Sequence, residues 1–232
     1  MTAFFRFPHT PHLAWLGEGQ PRDDKVLATP EAQELLAHEV VVEEKLDGAN
    51  LGFSITDEGE LCAQNRGSYL DRDHAHPQFR PLWSWLSARE SAIANALWPN
   101  LMLFGEWCYA IHSVVYDGLP DWFLGFDVYD RKLDRFWDSE RRNALLTELR
   151  LHPVPRLAKS RVSIEQLNQL LSGASRVGGS TIEGLVVRQE GDGFTTARAK
   201  LVRAEFTQAI DEHWSRGPLR PNALARGATP WR

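Results

Sequence analysis

Seven short runs rich in β-branched and aromatic residues, joined without regular strand–helix alternation, restrict this chain to an α+β fold with antiparallel sheets. Strands are expected at Glu39–Glu44, Leu51–Ile55, Leu61–Gln64, Leu101–Trp107, Trp122–Tyr129, Ile182–Val187 and Arg198–Val202. The second and third face each other across Asp57-Glu58-Gly59-Glu60, a hairpin signature. Helical spacing marks 31–37, 79–97, 139–150, 163–171 and about 205–214. Thr29 is the expected cap of the first helix and Pro30 its first residue. A doubly wound parallel sheet would need strict β–α alternation and is excluded. At 232 residues the chain is long enough for a buried core.

Charge and composition narrow the function classes. A net charge of −5 excludes a uniformly basic nucleic-acid coat protein but not a local basic groove. Cys62 and Cys108 are too few for a disulfide framework or a Cys-rich zinc site, and they suit a reducing, cytoplasmic setting. No apolar run approaches the ~20 residues of a membrane helix, and the N-terminus lacks the pattern of a signal peptide. The expected organisation is one domain over 1–214 and an Arg/Pro/Gly-rich tail over 215–232. That tail reads either as a solvated segment or as an arm contacting phosphates.

Polar residues recur at the ends of apolar strands or inside them. Lys45-Leu46-Asp47-Gly48 follows Glu44. Glu106 lies in Phe104-Gly105-Glu106-Trp107, and Asp127 follows Phe126. Glu183-Gly184 opens an apolar run, and Lys200 sits in Arg198-Ala199-Lys200-Leu201. Singly, each is an ordinary strand end, turn or solvent-facing residue. Their order along the chain carries the information.

That order resembles the covalent nucleotidyltransferase superfamily of ATP-dependent ligases and mRNA capping enzymes, over roughly residues 40–206. The nucleophile motif resembles Lys45–Gly48, followed by Arg66-Gly67, Gly105-Glu106, Phe126-Asp127, Glu183-Gly184 and Lys200. Asn50, where DNA ligases and capping enzymes typically carry arginine, resembles the phage-type RNA ligase 2 branch. Pro8-His9-Thr10-Pro11-His12-Leu13 and Tyr109-Ala110-Ile111-His112-Ser113 are softer likenesses to the same branch.

The resemblance implies a nucleotidyltransferase (adenylation) domain of antiparallel sheets flanked by helices, ATP-grasp-like, without an OB domain, since 32 residues follow Lys200. It implies an ATP-dependent RNA ligase joining 3′-hydroxyl and 5′-phosphate ends through lysyl-AMP and 5′-adenylated RNA. Lys45 is then the nucleophile, and Glu183 orients Mg²⁺ or Mn²⁺, hard ions that prefer oxygen. Lys200 and Arg198 hold phosphate charge, Glu106 the ribose, and Phe126 stacks on adenine. Backbone near Glu43 and Glu44 chooses the base, and Asp47, Asn50 and Arg66 complete the nucleotide site. Gly48 and Gly184 are expected to let the chain pass close to the nucleotide. Arg198 departs from the lysine many relatives have there, and arginine is not an equivalent point charge. Nearby cations and desolvation are expected to lower the Lys45 pKa. RNA is the implied substrate, an end-healing kinase or phosphatase a candidate partner, and a membrane none. A minimal DNA ligase, a GTP-using capping enzyme and a catalytically silent nucleotide- or RNA-binding subunit are the competing readings.

Overall fold

The computed structural model describes residues 4–18, 25–179, 181–208 and 218–230. In chain order the elements are α1 (Thr29–Leu36), β1 (Val40–Lys45), β2 (Ala49–Ile55), β3 (Leu61–Gln64), α2 (Leu82–Ser87), α3 (Glu90–Leu97), β4 (Leu101–Trp107), β5 (Phe123–Asp130), β6 (Arg135–Phe136), α4 (Ser139–Glu148), β7 (His152–Pro153), β8 (Arg156–Ser160), α5 (Ile164–Leu171), β9 (Gly184–Gly191), β10 (Phe194–Val202) and α6 (Ala204–Gln208). They build two sheets. One runs β10-β9-β1-β8, every pair antiparallel. The other runs β3-β2-β4-β5-β6, also antiparallel, with β7 added parallel to β5. The expected α+β class with antiparallel sheets therefore holds.

Two apolar clusters bury the sheets' outer faces. Val40, Val42, Leu185, Val187 and Leu201 of the first sheet pack with Leu35 of α1 and Leu167 and Leu171 of α5. Leu51, Phe53, Leu103, Trp107 and Phe123 of the second pack with Trp85 of α2 and Ile93 and Leu97 of α3. The stacked ring of Trp85 lies 6.0 Å from Phe53. Burial of this kind supplies the main driving force for the fold. Among the described residues no helix is long and apolar enough to cross a membrane.

Several expected boundaries move for visible reasons. The helical pattern over 79–97 breaks into a 3₁₀ turn, Pro77–Phe79, and the helices α2 and α3. The break falls where Arg89 turns inward: its Nη1 donates to the Trp85 carbonyl at 2.9 Å and its guanidinium lies 4.6 Å from that indole. Thr29 is inside α1, and Ala28 holds the cap position. Ala28 offers no side-chain acceptor, and its N–H donates instead to the Glu31 carboxylate at 2.8 Å. The last helix is described only over Ala204–Gln208, and the rest of the expected span to Trp214 lies outside the described residues. β8 is an edge strand carrying Arg156 and Lys159, a composition that resists strand pairing with other chains and hides the strand from a hydrophobic-pattern search.

A buried ion network joins the two sheets. Glu43 of β1 receives Arg142 Nη2 at 2.5 Å and Arg188 Nε at 2.8 Å. Arg188 Nη1 reaches Asp127 of β5 at 2.6 Å, and Arg198 Nη1 reaches the other Asp127 oxygen at 2.6 Å. Burial opposes ionisation of Glu43, but the two guanidiniums outweigh it and hold its carboxyl below the usual range. Arg142→Ala leaves a buried carboxylate short of one partner. It is expected to destabilise the protein by about 3–5 kcal/mol in urea denaturation. Arg142→Lys should recover little of this, since an ammonium cannot form the fork.

Candidate active site

β1 places its side chains alternately. Glu43 points to the arginines above. Glu44 points to the other side, where its Oε2 accepts the Arg176 N–H at 2.9 Å. Lys45, at the end of the strand, lines a cavity of about 400 Å³. That volume suits a small-molecule ligand. Lys45 pairs in register with Gly184, which brings Glu183 beside it. The Lys45 Nζ lies 2.7 Å from both Glu183 oxygens.

Of the residues singled out in the sequence, Glu44, Lys45, Gly48, Asn50, Arg66, Glu106, Phe126, Arg198 and Lys200 line this one cavity. Glu183 joins them through its contact with Lys45. Asp47 sits behind the wall: its Oδ2 accepts the N–H groups of Ser113 at 2.6 Å and Val114 at 2.8 Å. Asn50 of β2 stands opposite Glu106 of β4 in the sheet, and its buried Oδ1 has no hydrogen-bond partner among the described residues. Such an atom marks a place for a ligand's donor. Arg66 is exposed, on a tight turn that the Asn65 side chain holds through the Gly67 and Ser68 N–H groups, each 2.8 Å away.

Phe126 is held from behind and from one side. Its carbonyl accepts Arg142 Nη1 at 2.6 Å and Arg188 Nη2 at 2.9 Å. Its ring meets Phe7 edge-on at 5.4 Å. Arg198 lies over the Phe7 and Phe136 rings at 4.7 and 4.3 Å while bonding Asp127. Its guanidinium is thus committed to a carboxylate and two rings, whereas Lys200 sits two residues further along the same strand. Main-chain pairing with the N-terminal segment fixes β10 at that point. The Lys200 N–H donates to the Pro11 carbonyl at 2.8 Å, and the Lys200 carbonyl accepts the Leu13 N–H at 2.7 Å. The Pro8–Leu13 stretch is therefore part of the site's frame.

Both expected glycines also allow a close approach within the protein itself. A Cβ on Gly48 would meet the Trp107 carbonyl oxygen at 2.7 Å, and one on Gly184 would meet the Leu201 carbonyl oxygen at 2.8 Å. They are required by close approach of the chain to its own β4 and β10. Sequence reasoning also missed Phe7, Thr10 and Arg188 as lining residues. The pairing of β9 with β10 carries a signal that was available: Asp192-Gly193, with φ of 53° and 81°, is a two-residue hairpin turn. The turn and the β-bulge between Thr195 and Ala197 together set Arg188 directly across from Arg198.

The electrostatics of Lys45 reverse the expectation. Burial alone would lower the ammonium, but the carboxylates of Glu183, Glu106 and Asp47 outweigh it and hold the amine above its ordinary value. The carboxylates bear the cost of burial. Glu183 and Glu106 are each pushed up to about 7, chiefly by desolvation, with other carboxylates adding to it and Lys45 opposing it. Oxygen donors crowded in this way suit a hard divalent cation. Among the described residues no three His, Cys, Asp or Glu side chains group so as to hold a metal ion by themselves.

A group whose folded pKa is raised binds extra protons in the native state, so stability falls as pH rises from the ordinary carboxyl value to about 7. Glu106→Gln keeps an acceptor for the Gly48 N–H, which lies 3.0 Å from Glu106 Oε1. The ligand-free variant should match the wild type near pH 5 and exceed it by about 1–3 kcal/mol at pH 8, measured by urea denaturation at both pH values.

Comparisons with known proteins bear on the family and the fold. The RNA ligase family model matches residues 38–202. No curated protein sequence matches the chain. Among solved structures, an alanine mutant of Naegleria gruberi RNA ligase with ATP and Mn superposes at a TM-score of 0.62, with 18% identity over 90% of this chain and 58% of that one. The same organism's RNA ligase with PPi gives 0.60, with 19% identity over 91% of this chain and 62% of that one. A glutamate-to-alanine mutant with AMP and Mn gives 0.64, with 18% identity over 93% and 60%. At that identity the likeness bears on the fold, and this chain spans about three fifths of the length of those it matches.

Proposed function

This chain belongs to the RNA ligase family, and on that premise we propose that it is an ATP-dependent RNA ligase that works through a covalent Lys45–AMP intermediate. The observation that carries the reading is the lysine itself. Lys45 lines a nucleotide-sized cavity with its amine 2.7 Å from Glu183, and Phe126 and Lys200 line the same cavity. The ATP- and AMP-bound relatives support the choice of nucleotide.

Three steps follow. Lys45 attacks the α-phosphorus of ATP, the bond to pyrophosphate breaks, and a phosphoramidate to AMP forms. An RNA 5′-phosphate oxygen then displaces Lys45 and takes the AMP. Finally a 3′-hydroxyl attacks that activated phosphate, AMP leaves, and a phosphodiester remains. Lys45 begins protonated, so it must lose a proton before the first attack. Glu183 is the nearest base and has a pKa near neutrality. Lys200 holds negative charge on the phosphates as it shifts to the leaving group. Phe126 stacks on the purine, and Asn50 Oδ1 and Glu106 accept hydrogen bonds from the nucleoside. A divalent cation held by Glu183 would supply further positive charge at the phosphates. Arg198 acts on the site through Asp127 and not as a direct phosphate ligand.

Incubation with α-³²P-ATP and magnesium, alongside GTP and NAD, tests nucleotide and covalent chemistry together on a denaturing gel. The wild type should label from ATP. Lys45→Ala should lose all label while remaining folded, and should still seal RNA that is already 5′-adenylated. Acid-labile label on the alanine variant would move the nucleophile elsewhere.

Substrate choice separates this reading from a minimal DNA ligase. Four nicked duplexes, with RNA or DNA on either side of the nick, distinguish them. The 3′-hydroxyl strand is expected to need ribonucleotides at its last one or two positions, because a 2′-hydroxyl is what marks RNA at a single nucleotide. Equal sealing of all-DNA and all-RNA nicks would favour the DNA ligase.

A further inference from the structure

The segment between β4 and β5, residues 108–122, contains no named strand or helix, yet much of it is buried. Buried backbone of this kind must find hydrogen-bond partners outside regular structure. The C-terminal residues 218–230 supply them. The Ile111 N–H donates to the Arg220 carbonyl at 2.8 Å, the Ala223 N–H to Tyr116 at 2.8 Å, and the Ala225 N–H to Leu119 at 2.8 Å. Asn222, buried at 5% exposure, is the centre of this strap. Its Oδ1 accepts the Tyr116 N–H at 2.8 Å, and its Nδ2 donates to the carbonyls of Cys108 at 2.8 Å and Ala110 at 3.2 Å.

The held segment in turn holds the nucleophile motif. The fully buried Tyr116 hydroxyl accepts the Asp47 N–H at 2.8 Å, and the Asp47 carboxylate accepts the N–H groups of Ser113 and Val114. A continuous chain of hydrogen bonds thus runs from Asn222 through Tyr116 to Asp47, two residues from Lys45. We propose that Asn222 is a positioning residue for lysine adenylylation, and that residues 218–230 act as a strap completing the active site instead of as an RNA-binding arm. The inference rests on the adenylylation chemistry proposed above. Small displacements of a nucleophile are expensive in rate, on the order of 10²-fold for about 1 Å.

Five proteins test it: the wild type, Asn222→Ala, Tyr116→Phe, the double variant carrying both substitutions and, as a control for packing in the same strap, Leu224→Ala. Each is assayed for single-turnover protein–AMP formation across a range of ATP, at a temperature where circular dichroism shows all five folded. RNA binding is measured in parallel. Hydrogen exchange is followed over residues 45–50. Asn222→Ala and Tyr116→Phe should each lower the maximal rate roughly ten-fold or more, with the ATP concentration at half-maximal rate changed less than about three-fold. The double variant should be little worse than Asn222→Ala, because both cut one chain. Exchange over 45–50 should rise in both, and Leu224→Ala should resemble the wild type in rate and exchange. If Asn222→Ala does not fold, Tyr116→Phe, which removes one oxygen and keeps the ring, carries the comparison. Wild-type rates in the folded variants would overturn the inference, as would loss of RNA binding with adenylylation intact. Losses matched by Leu224→Ala would reduce the strap to a general stabiliser. Failure of the wild type to form protein–AMP would instead overturn the proposed chemistry itself.

Discussion

Everything at the site depends on Glu43 and Asp127, two carboxylates buried between sheets, sharing Arg188. Arg188 links β9 to β1 through Glu43 and to β5 through Asp127, so the sheet that carries the lysine and the sheet that carries the aromatic platform cannot slide independently. Desolvating five charges together is costly, and such groups add little net stability compared with apolar packing. Their value here is geometric. Guanidinium forks demand fixed planes and distances, and two of them end on the main-chain carbonyl of Phe126. The relative position of Lys45 and Phe126 is thereby set before any ligand arrives.

The contrast with the catalytic end of the cavity is informative. Around Glu43 and Asp127 the charges nearly cancel: two carboxylates face three guanidiniums. Around Lys45 three carboxylates, Glu183, Glu106 and Asp47, face one ammonium close by, with Lys200 adding a weaker influence on Glu183. One cluster is satisfied as it stands. The other carries an excess of negative charge that adds to burial in raising the carboxyl pKa values of Glu183 and Glu106, and binding of cationic charge would relieve it. An imbalance of this kind is a common mark of a site built for a partner the protein does not itself contain.

Much of this was legible in the sequence because the chemistry sits at the ends of apolar strands or inside them. Lys45, Glu106, Phe126, Glu183 and Lys200 stand out as polar or aromatic positions in otherwise apolar runs, and the fold brings all five together. What escaped was long-range partnership. Arg142 looks like one more polar residue on an amphipathic helix, and only tertiary packing turns it toward Glu43. Arg188 closes an apolar strand and reads as its solvent-facing end. The state of Lys45 also escaped, since the sum of three carboxylates against burial depends on distances that spacing does not encode. A second requirement for Gly48 and Gly184 escaped as well: there the chain passes close to carbonyls of β4 and β10.

The C-terminal residues show why composition misleads about tails. Pro, Gly and Arg there predict an irregular path, and 218–230 are irregular. Irregular is not the same as unattached. The stretch between β4 and β5 has no neighbouring strand to satisfy its backbone, and an asparagine serves well as a replacement, because one side chain offers both an acceptor and two donors. Asn222 uses both kinds, bonding the segment at Cys108, Ala110 and Tyr116. A free tail would leave those groups buried and unpaired, at about 1–3 kcal/mol each. The attachment is therefore part of the fold's own accounting for backbone hydrogen bonds. Its route to Lys45 passes through Tyr116 and Asp47, so the same bonds that complete the fold also bear on the nucleophile.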